Sequence, residues 1–201
     1  SFDSEILPIG DLRVDETIRP DTTVEGLAGL KPAFYDEELG KRFPEIQWRV
    51  TAGNSSPLTD GASAVLIMSE ERANQLGLRP RARFVASAVV GSDPIEMLTG
   101  VMPATTKILE RSGMSIGDFD TIEINEAFAS VPLAWEKEFG VDPERVNPRG
   151  GAIALGHPLG SSGTRLLTTM VNELDRSGGR YGYQVMCEGA GMANATIIER
   201  L

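Results

Sequence analysis

From about residue 51 to the C-terminus, short apolar runs alternate with polar, turn-rich segments. Short apolar runs bounded by turn residues are typical of β-strands. The predicted strands cover residues 62–68, 82–90, 121–124, 183–186 and 192–198. Because a short, glycine-containing connection joins the last two strands, they can pair only as an antiparallel hairpin. With helices between the other strands, this pattern predicts an α/β fold with a mixed sheet.

The helices are predicted from capping residues and apolar spacing. Pro103 opens one helix and Gly113 closes it, because proline suits the first helical turn and glycine the position after the last. Pro132 would interrupt a helix that began at Glu126, so this helix is expected to start nearer Ser130.

Residues 1–50 form the least regular part of the chain. Prolines interrupt this stretch, yet it contains too many Ile, Leu, Phe and Trp residues for a disordered tail. We expect extended chain that packs on another surface. The strand at 62–68 is apolar enough to be buried on both faces, and Ser69 is expected to cap a short helix that ends near Gly77. A break at 78–80 is the best candidate for a domain boundary.

Composition restricts the classes of function. The net charge of -10 argues against nucleic acid and against an anionic membrane surface as partners. No apolar run is long enough to span a membrane, and the polar start of the chain is not a signal peptide. A single cysteine excludes an internal disulfide and is consistent with a reducing, cytoplasmic setting. One histidine and one cysteine cannot build a conventional zinc site.

The only histidine, His157, lies in a glycine-rich loop at 147–165. A helical apolar pattern follows, which Ser161 or Ser162 can cap and Gly178 can close. The partial positive charge at the start of that helix favours a neutral imidazole, which can act as a base or donate a hydrogen bond. The alternative is a packed loop with an incidental histidine.

Two further polar residues, Asn125 and Cys187, follow predicted strands, where sites form in α/β sheets. A cysteine and a neutral histidine allow thiolate chemistry with the histidine as proton acceptor. Asn125 can position a water or donate to an oxyanion, and so can the N–H groups near Gly189 and Gly191. Taken singly, Asn125 could instead cap a helix, and Cys187 could be a small buried hydrophobe. The two glycines could merely form the hairpin turn.

Three segments together resemble the C-terminal motifs of the thiolases. They are Asn-Glu-Ala-Phe at 125–128, Gly-Gly-Ala-Ile-Ala-Leu-Gly-His-Pro-Leu-Gly at 150–160 and Cys-Glu-Gly-Ala-Gly at 187–191. The segment Thr-Ala-Gly-Asn-Ser-Ser-Pro-Leu-Thr-Asp-Gly at 51–61 is similar to the thiolase loop that lies along the pantetheine of coenzyme A. The resemblance spans nearly all of the chain.

The resemblance implies a thiolase fold of two similar βαβαβαββ halves, with a loop domain inserted in the first. Each half would hold a mixed five-stranded sheet with helices on both faces. Residues 1–50 would then be the end of the loop domain, and residues 51–78 the last strand and helix of the first half. Residues 79–201 would be the complete second half. The N-terminal half and a homodimer or homotetramer are the implied partners.

The resemblance also implies a reaction, the reversible Claisen condensation of an acyl-CoA with acetyl-CoA or the thiolysis of a 3-ketoacyl-CoA in lipid metabolism. Coenzyme A thioesters are the implied substrates, with no tightly bound cofactor. By position, Asn125 would hold a catalytic water that forms one oxyanion hole with His157, which would also activate the nucleophile. Cys187 would move the proton at the acetyl α-carbon, and the Gly189 N–H would join the second oxyanion hole. Ser56 matches the serine that contacts pantetheine.

One departure from the family pattern concerns the nucleophile. Thiolases attack with a different cysteine, located in the first half, and Cys187 is the only cysteine in this sequence. The chain is therefore expected to be the C-terminal part of a longer thiolase and to be inactive alone. The alternatives are a subunit completed by another chain and a non-catalytic protein that binds coenzyme A or serves as a scaffold.

Overall fold

The computed structural model describes residues 5–201, and these residues form a four-stranded mixed sheet. The strands are β1 (Ala82–Gly91), β2 (Thr121–Ile124), β3 (Tyr181–Glu188) and β4 (Met192–Arg200). They lie in the order β1-β4-β3-β2. Strand β4 is antiparallel to both of its neighbours, and β2 is parallel to β3. The predicted α/β class, the mixed sheet and the antiparallel hairpin are confirmed.

The helices of the described chain precede the sheet or connect its strands. They are α1 (Val24–Ala28), α2 (Glu37–Arg42), α3 (Glu70–Gln75), α4 (Val101–Ser112), α5 (Ser130–Phe139), α6 (Ala152–Leu155) and α7 (Ser162–Ser177). None of the helices described within residues 5–201 is both long enough and apolar enough to cross a bilayer.

The helix ends predicted from glycines agree with the observed ones, whereas α4 begins at Val101, two residues before the predicted start at Pro103. Helix α4 ends before Gly113, which has a φ of 69° and so takes the left-handed conformation that glycine tolerates. Helix α5 begins at Ser130, and α7 ends before Gly178 with its φ of 76°. Ser161 occupies the predicted N-cap position of α7, but its hydroxyl makes no capping hydrogen bond and donates to Ser63 Oγ at 2.9 Å instead.

Helices cover both faces of the sheet, as predicted. Successive side chains of a strand point to opposite faces. Ile197 of β4 therefore packs in the larger core cluster, with side chains of α4 and α5, while Ile198 packs on Met170 and Leu174 of α7. In the larger cluster the rings of Trp135 and Tyr183 stack with their centroids 6.0 Å apart.

The expected fifth strand is absent from the described sheet. At its place, Val146 makes a single parallel bridge with Ile122, and the Asn147 N–H donates to the Ile122 carbonyl at 2.8 Å. Asn147 then adopts a φ of 47°, which turns the backbone out of the strand direction. Its side-chain amide makes the hydrogen bonds that a further paired strand would have made, since it accepts from the Ile124 N–H at 2.8 Å and donates to the Ile124 carbonyl at 2.9 Å.

The strand predicted at 62–68 is also wrong for this chain. The segment forms no backbone hydrogen bonds within residues 5–201, and Leu66 is 80% exposed and Ile67 61% exposed. A strand needs a neighbouring strand to pair its N–H and C=O groups, and none of the strands described within residues 5–201 pairs with this segment. Ser69 does cap α3, because its hydroxyl accepts from the Arg72 N–H at 3.2 Å.

The described part of the N-terminal segment, residues 5–50, contains α1 and α2 rather than extended chain alone, and most of its side chains are exposed. It contacts the rest of the molecule mainly at the turn that starts at Thr51. Pro32 makes an isolated antiparallel bridge with Thr51, and the ring of Phe34 packs edge-on against that of Phe128, with centroids 5.9 Å apart.

Candidate active site

Asn125 lies directly beyond the end of β2 and extends the sheet by one hydrogen bond. Its N–H donates to the Val185 carbonyl on β3 at 3.1 Å. The side chain is 1% exposed and faces the histidine loop, where Asn125 Nδ2 lies 3.4 Å from His157 Nε2. Two of the residues predicted for the site, 32 positions apart in the chain, are therefore in contact.

Glu126 connects the same strand end to the glycine loop. One carboxylate oxygen accepts from Asn147 Nδ2 at 2.8 Å, and the other accepts from the Ile153 N–H at 2.9 Å. The carboxylate occupies the space beside Gly151, where a Cβ would lie 2.0 Å from Glu126 Oε1. A larger residue at 151 would therefore have to displace this carboxylate.

His157 lies two residues after α6, which is a single short turn of helix. Helix α6 ends before Gly156, which has a φ of 94°, and the side chain of Thr59 fills the space where its Cβ would stand. On the other side of the ring, His157 Nδ1 lies 2.6 Å from Ser162 Oγ in the first turn of α7. The imidazole is thus held between a strand end and a helix start.

The electrostatic surroundings of His157 favour its neutral form. Burial lowers the pKa of the imidazole below its ordinary value, and the nearby positive charge of Arg165 lowers it further. The neutral state expected from the sequence is thus favoured chiefly by desolvation. A neutral ring has one nitrogen with a free lone pair, as a proton acceptor requires.

The loop that contains Ser56 packs against both of these motifs. The Ser56 N–H and hydroxyl both donate to the Ala127 carbonyl, each at 3.2 Å, and the Ala129 N–H donates to the Asn54 carbonyl at 2.9 Å. Farther along the loop, the His157 N–H donates to the Pro57 carbonyl at 3.4 Å. The loop at 51–61 therefore lies beside the residues that follow Asn125 and beside the histidine.

Cys187 lies near the end of β3, the strand adjacent to β2. Its side chain is 8% exposed and belongs to the larger core cluster. Burial raises the pKa of the thiol, and the charge of Glu188 raises it further, so the thiol form is favoured. Within residues 5–201 no hydrogen bond joins Cys187 to Asn125 or His157, so the hydrogen bonds of the described residues join only two of these three predicted site residues directly.

Gly189 lies in the turn between β3 and β4, and this turn is strained. Ala190 adopts a φ of 61° and Gly191 a φ of 82°, and a Cβ on Gly191 would lie 2.6 Å from the Ser92 carbonyl oxygen. Gly189 itself is exposed, with open space where a Cβ would stand. A ligand can therefore approach the backbone at Gly189 closely.

Comparison with known families identifies the chain. Residues 78–200 match the model of the thiolase C-terminal domain, and residues 1–71 match the model of the thiolase N-terminal domain. The chain belongs to the thiolase family. Its similarity to named thiolases extends over the whole sequence. It is 52% identical to the steroid 3-ketoacyl-CoA thiolase FadA6 of Mycobacterium tuberculosis over 204 residues, which is 100% of this chain and 47% of that protein.

Other thiolases give the same result. The chain is 52% identical to the 3-ketoacyl-CoA thiolase of Aliivibrio salmonicida over 99% of its own length and 52% of that protein. Its structure superposes on the Bacillus anthracis acetyl-CoA acetyltransferase with a TM-score of 0.85, at 43% identity, over 100% of this chain and 50% of the other. The human mitochondrial 3-ketoacyl-CoA thiolase in complex with CoA gives a TM-score of 0.84 at 43% identity, over 94% and 46% of the two chains. The chain thus spans about half the length of the thiolases that it matches.

Two residues at the candidate site are not predicted from the sequence. Glu126 enters the sequence analysis only as part of the motif at 125–128 and Ser162 only as a helix cap. The signal for Glu126 was the adjacent pair Gly150 and Gly151, since paired glycines indicate that another group approaches the backbone closely. No comparable signal indicated that the hydroxyl of Ser162 faces the histidine.

Proposed function

We propose that this chain is the C-terminal part of a thiolase that cleaves 3-ketoacyl-CoA with coenzyme A and catalyses the reverse Claisen condensation. The observation that carries the proposal is the contact between Asn125 and His157 at the end of a parallel strand, beside the loop of Ser56, in a chain of the thiolase family. Residues 1–50 would complete a loop domain, residues 51–78 the first thiolase half, and residues 79–201 the second half.

His157 is the proton acceptor for the nucleophile in this mechanism. The nucleophile is a cysteine of the N-terminal half, whose thiol proton passes to the imidazole as the sulfur attacks the 3-keto carbonyl carbon. The oxygen of that carbonyl then carries negative charge. Protonated His157 and a water held by Asn125 donate to it, and such donors are most effective when they are already oriented before the reaction.

Cys187 supplies the proton for the carbon–carbon cleavage. When the bond between C2 and C3 breaks, its electron pair remains on C2 as the enolate of acetyl-CoA, whose oxygen the Gly189 N–H stabilises. The Cys187 thiol protonates C2 and becomes a thiolate, which then takes the proton of the incoming coenzyme A thiol. The raised pKa of Cys187 supports this role, because a buried thiol rests in the protonated form that cleavage needs.

The pantetheine of the substrate is proposed to run along the loop of Ser56. The proximity of this loop to Asn125 and His157 supports a path that delivers the thioester to them. The partners of the chain are the N-terminal thiolase half and further copies in a homodimer or homotetramer, in the cytoplasm.

A thiolysis assay of the complete protein, in which the N-terminal half precedes this chain, tests the proposal. Asn125→Ala should lower kcat by about 10²-fold, in the range found when one donor of an oxyanion hole is removed. Asn172→Ala on the exposed side of α7 is the matched control and should retain full activity. Coenzyme A binding without turnover in the unaltered protein would favour the non-catalytic alternative and overturn the proposal.

A further inference from the structure

The hydroxyl of Ser162 has two polar neighbours at hydrogen-bonding distance. Its oxygen lies 2.6 Å from His157 Nδ1 and 3.0 Å from the carbonyl oxygen of Pro158. Ser162 is fully buried at the first position of α7, so water does not compete for these contacts.

The chemistry of the two neighbours favours one direction for each hydrogen bond. The Pro158 carbonyl can only accept, and it receives the single hydroxyl proton of Ser162 at 3.0 Å beside the N–H groups of Ser161 and Ser162, each at 2.9 Å. The oxygen of Ser162 is then the acceptor toward His157, and Nδ1 must hold the ring proton. In a neutral imidazole this leaves Nε2 unprotonated.

The opposite edge of the ring agrees with this assignment. The group nearest to Nε2 is Nδ2 of Asn125, at 3.4 Å, and an amide nitrogen can only donate. A donor on this side is compatible with a lone pair on Nε2 and is incompatible with a second N–H. Both neighbours of the ring therefore favour one tautomer.

We propose that Ser162 is a positioning residue that holds His157 in the tautomer protonated at Nδ1, with the lone pair of Nε2 directed to the reacting groups. The catalytic consequence of this assignment rests on the proposed thiolase function, whereas the tautomer itself does not. With Nε2 as the acceptor, the thiol proton of the nucleophile moves to the same atom that next donates to the oxyanion. One nitrogen thus performs both tasks, and the ring does not have to turn between them.

Nitrogen NMR of the complete protein labelled with ¹⁵N-histidine measures the tautomer directly. A His157→Gln variant identifies the resonances of His157 by their loss. At a pH of about 8, where the ring is neutral, we expect Nδ1 to have the shift of a protonated ring nitrogen and Nε2 that of an unprotonated one. The reverse pattern in the unaltered protein overturns the proposal whether or not the protein is an active thiolase.

Variants of the two adjacent serines separate positioning from general stability. Ser162→Ala should shift the tautomer ratio toward the form protonated at Nε2 and lower kcat about tenfold, which corresponds to one neutral hydrogen bond. Ser162→Thr, which keeps the hydroxyl, should retain the original tautomer. Ser161→Ala removes a neighbouring hydroxyl that bonds Ser63 rather than the histidine, and it should leave the ratio unchanged. Equal ratios in Ser162→Ala and the unaltered protein would refute the role of Ser162.

Discussion

The contact between Glu126 and Gly151 makes a prediction that stability measurements can test. In Gly151→Ala the new methyl group would lie 2.0 Å from the carboxylate of Glu126, which would have to move away. The backbone of Gly151 is not the obstacle, since its φ of -100° and ψ of -168° are open to alanine. The whole cost of the substitution should therefore arise from displacing one side chain.

The magnitude follows from the two hydrogen bonds that the displaced carboxylate would lose, to Asn147 Nδ2 and to the Ile153 N–H. A hydrogen bond to a charged group contributes roughly 1.5–3 kcal/mol. Because Glu126 is half-buried, water would replace part of that interaction once the side chain moves. We therefore expect Gly151→Ala to lower the free energy of unfolding by about 2 kcal/mol.

A double-mutant cycle by urea unfolding of the complete protein isolates this contact. In the Glu126→Ala background the carboxylate is gone, and Gly151→Ala should then change the free energy of unfolding by no more than about 0.5 kcal/mol. Gly160→Ala is the matched control in the same loop, because its Cβ would meet open space and it should cost little in either background. If Gly151→Ala costs the same with and without Glu126, the argument from this contact is refuted.

Further predictions concern charge, assembly and activity. Because burial raises the pKa of Glu123 to about 8 against 4.5 for an exposed glutamate, the folded protein binds a proton that the unfolded chain releases between these values. The free energy of unfolding should therefore fall as pH rises through that window, although the charge of Arg165 opposes the shift of this pKa. Urea titrations at about pH 5 and pH 9 measure the fall, and Glu123→Gln should reduce it. The imidazole of His157 should titrate below its ordinary pKa of 6.5, and an NMR midpoint above that value would contradict the desolvation argument. The 201-residue chain alone should self-associate through its exposed segment at 62–68, and Leu66→Asp should weaken the association. Sedimentation of the unaltered chain as a monomer would count against this expectation. The same chain should catalyse no thiolysis. Turnover by the 201-residue chain, with its mass confirmed, would contradict this and would indicate that Cys187 is the nucleophile.

The parts of the fold that were predictable are those that local chemistry determines. Gly113 and Gly178 end helices because the left-handed conformation suits glycine, and this is visible in the sequence. The meeting of Asn125 and His157 was predictable in outline, since polar residues that follow strands and glycine loops gather at one edge of an α/β sheet.

The failures came from features that depend on distant partners. The apolar run at 62–68 was predicted as a buried strand, but burial and pairing require neighbours that the described residues do not provide. The expected fifth strand does not form because the chain turns at Asn147, and the apolar pattern of the sequence does not indicate the positive φ of this residue. Glu126 and Ser162 bond groups that the course of the loop brings to them, so their roles became visible only in three dimensions.

The central claim is that His157 and Cys187 of this chain serve different steps of a thiolase reaction, and Cys187→Ser tests it most directly. Serine is nearly isosteric but far less acidic than the thiol, so the fold should persist while proton transfer at the α-carbon fails, a loss of about 10²–10⁴-fold. The measurement is the intact mass of the complete Cys187→Ser protein after mixing with acyl-CoA, together with its rate of condensation. The account predicts an enzyme that carries one acyl group and does not condense it with acetyl-CoA. A variant that is never acylated would show that Cys187 is required for the first step and would contradict the account.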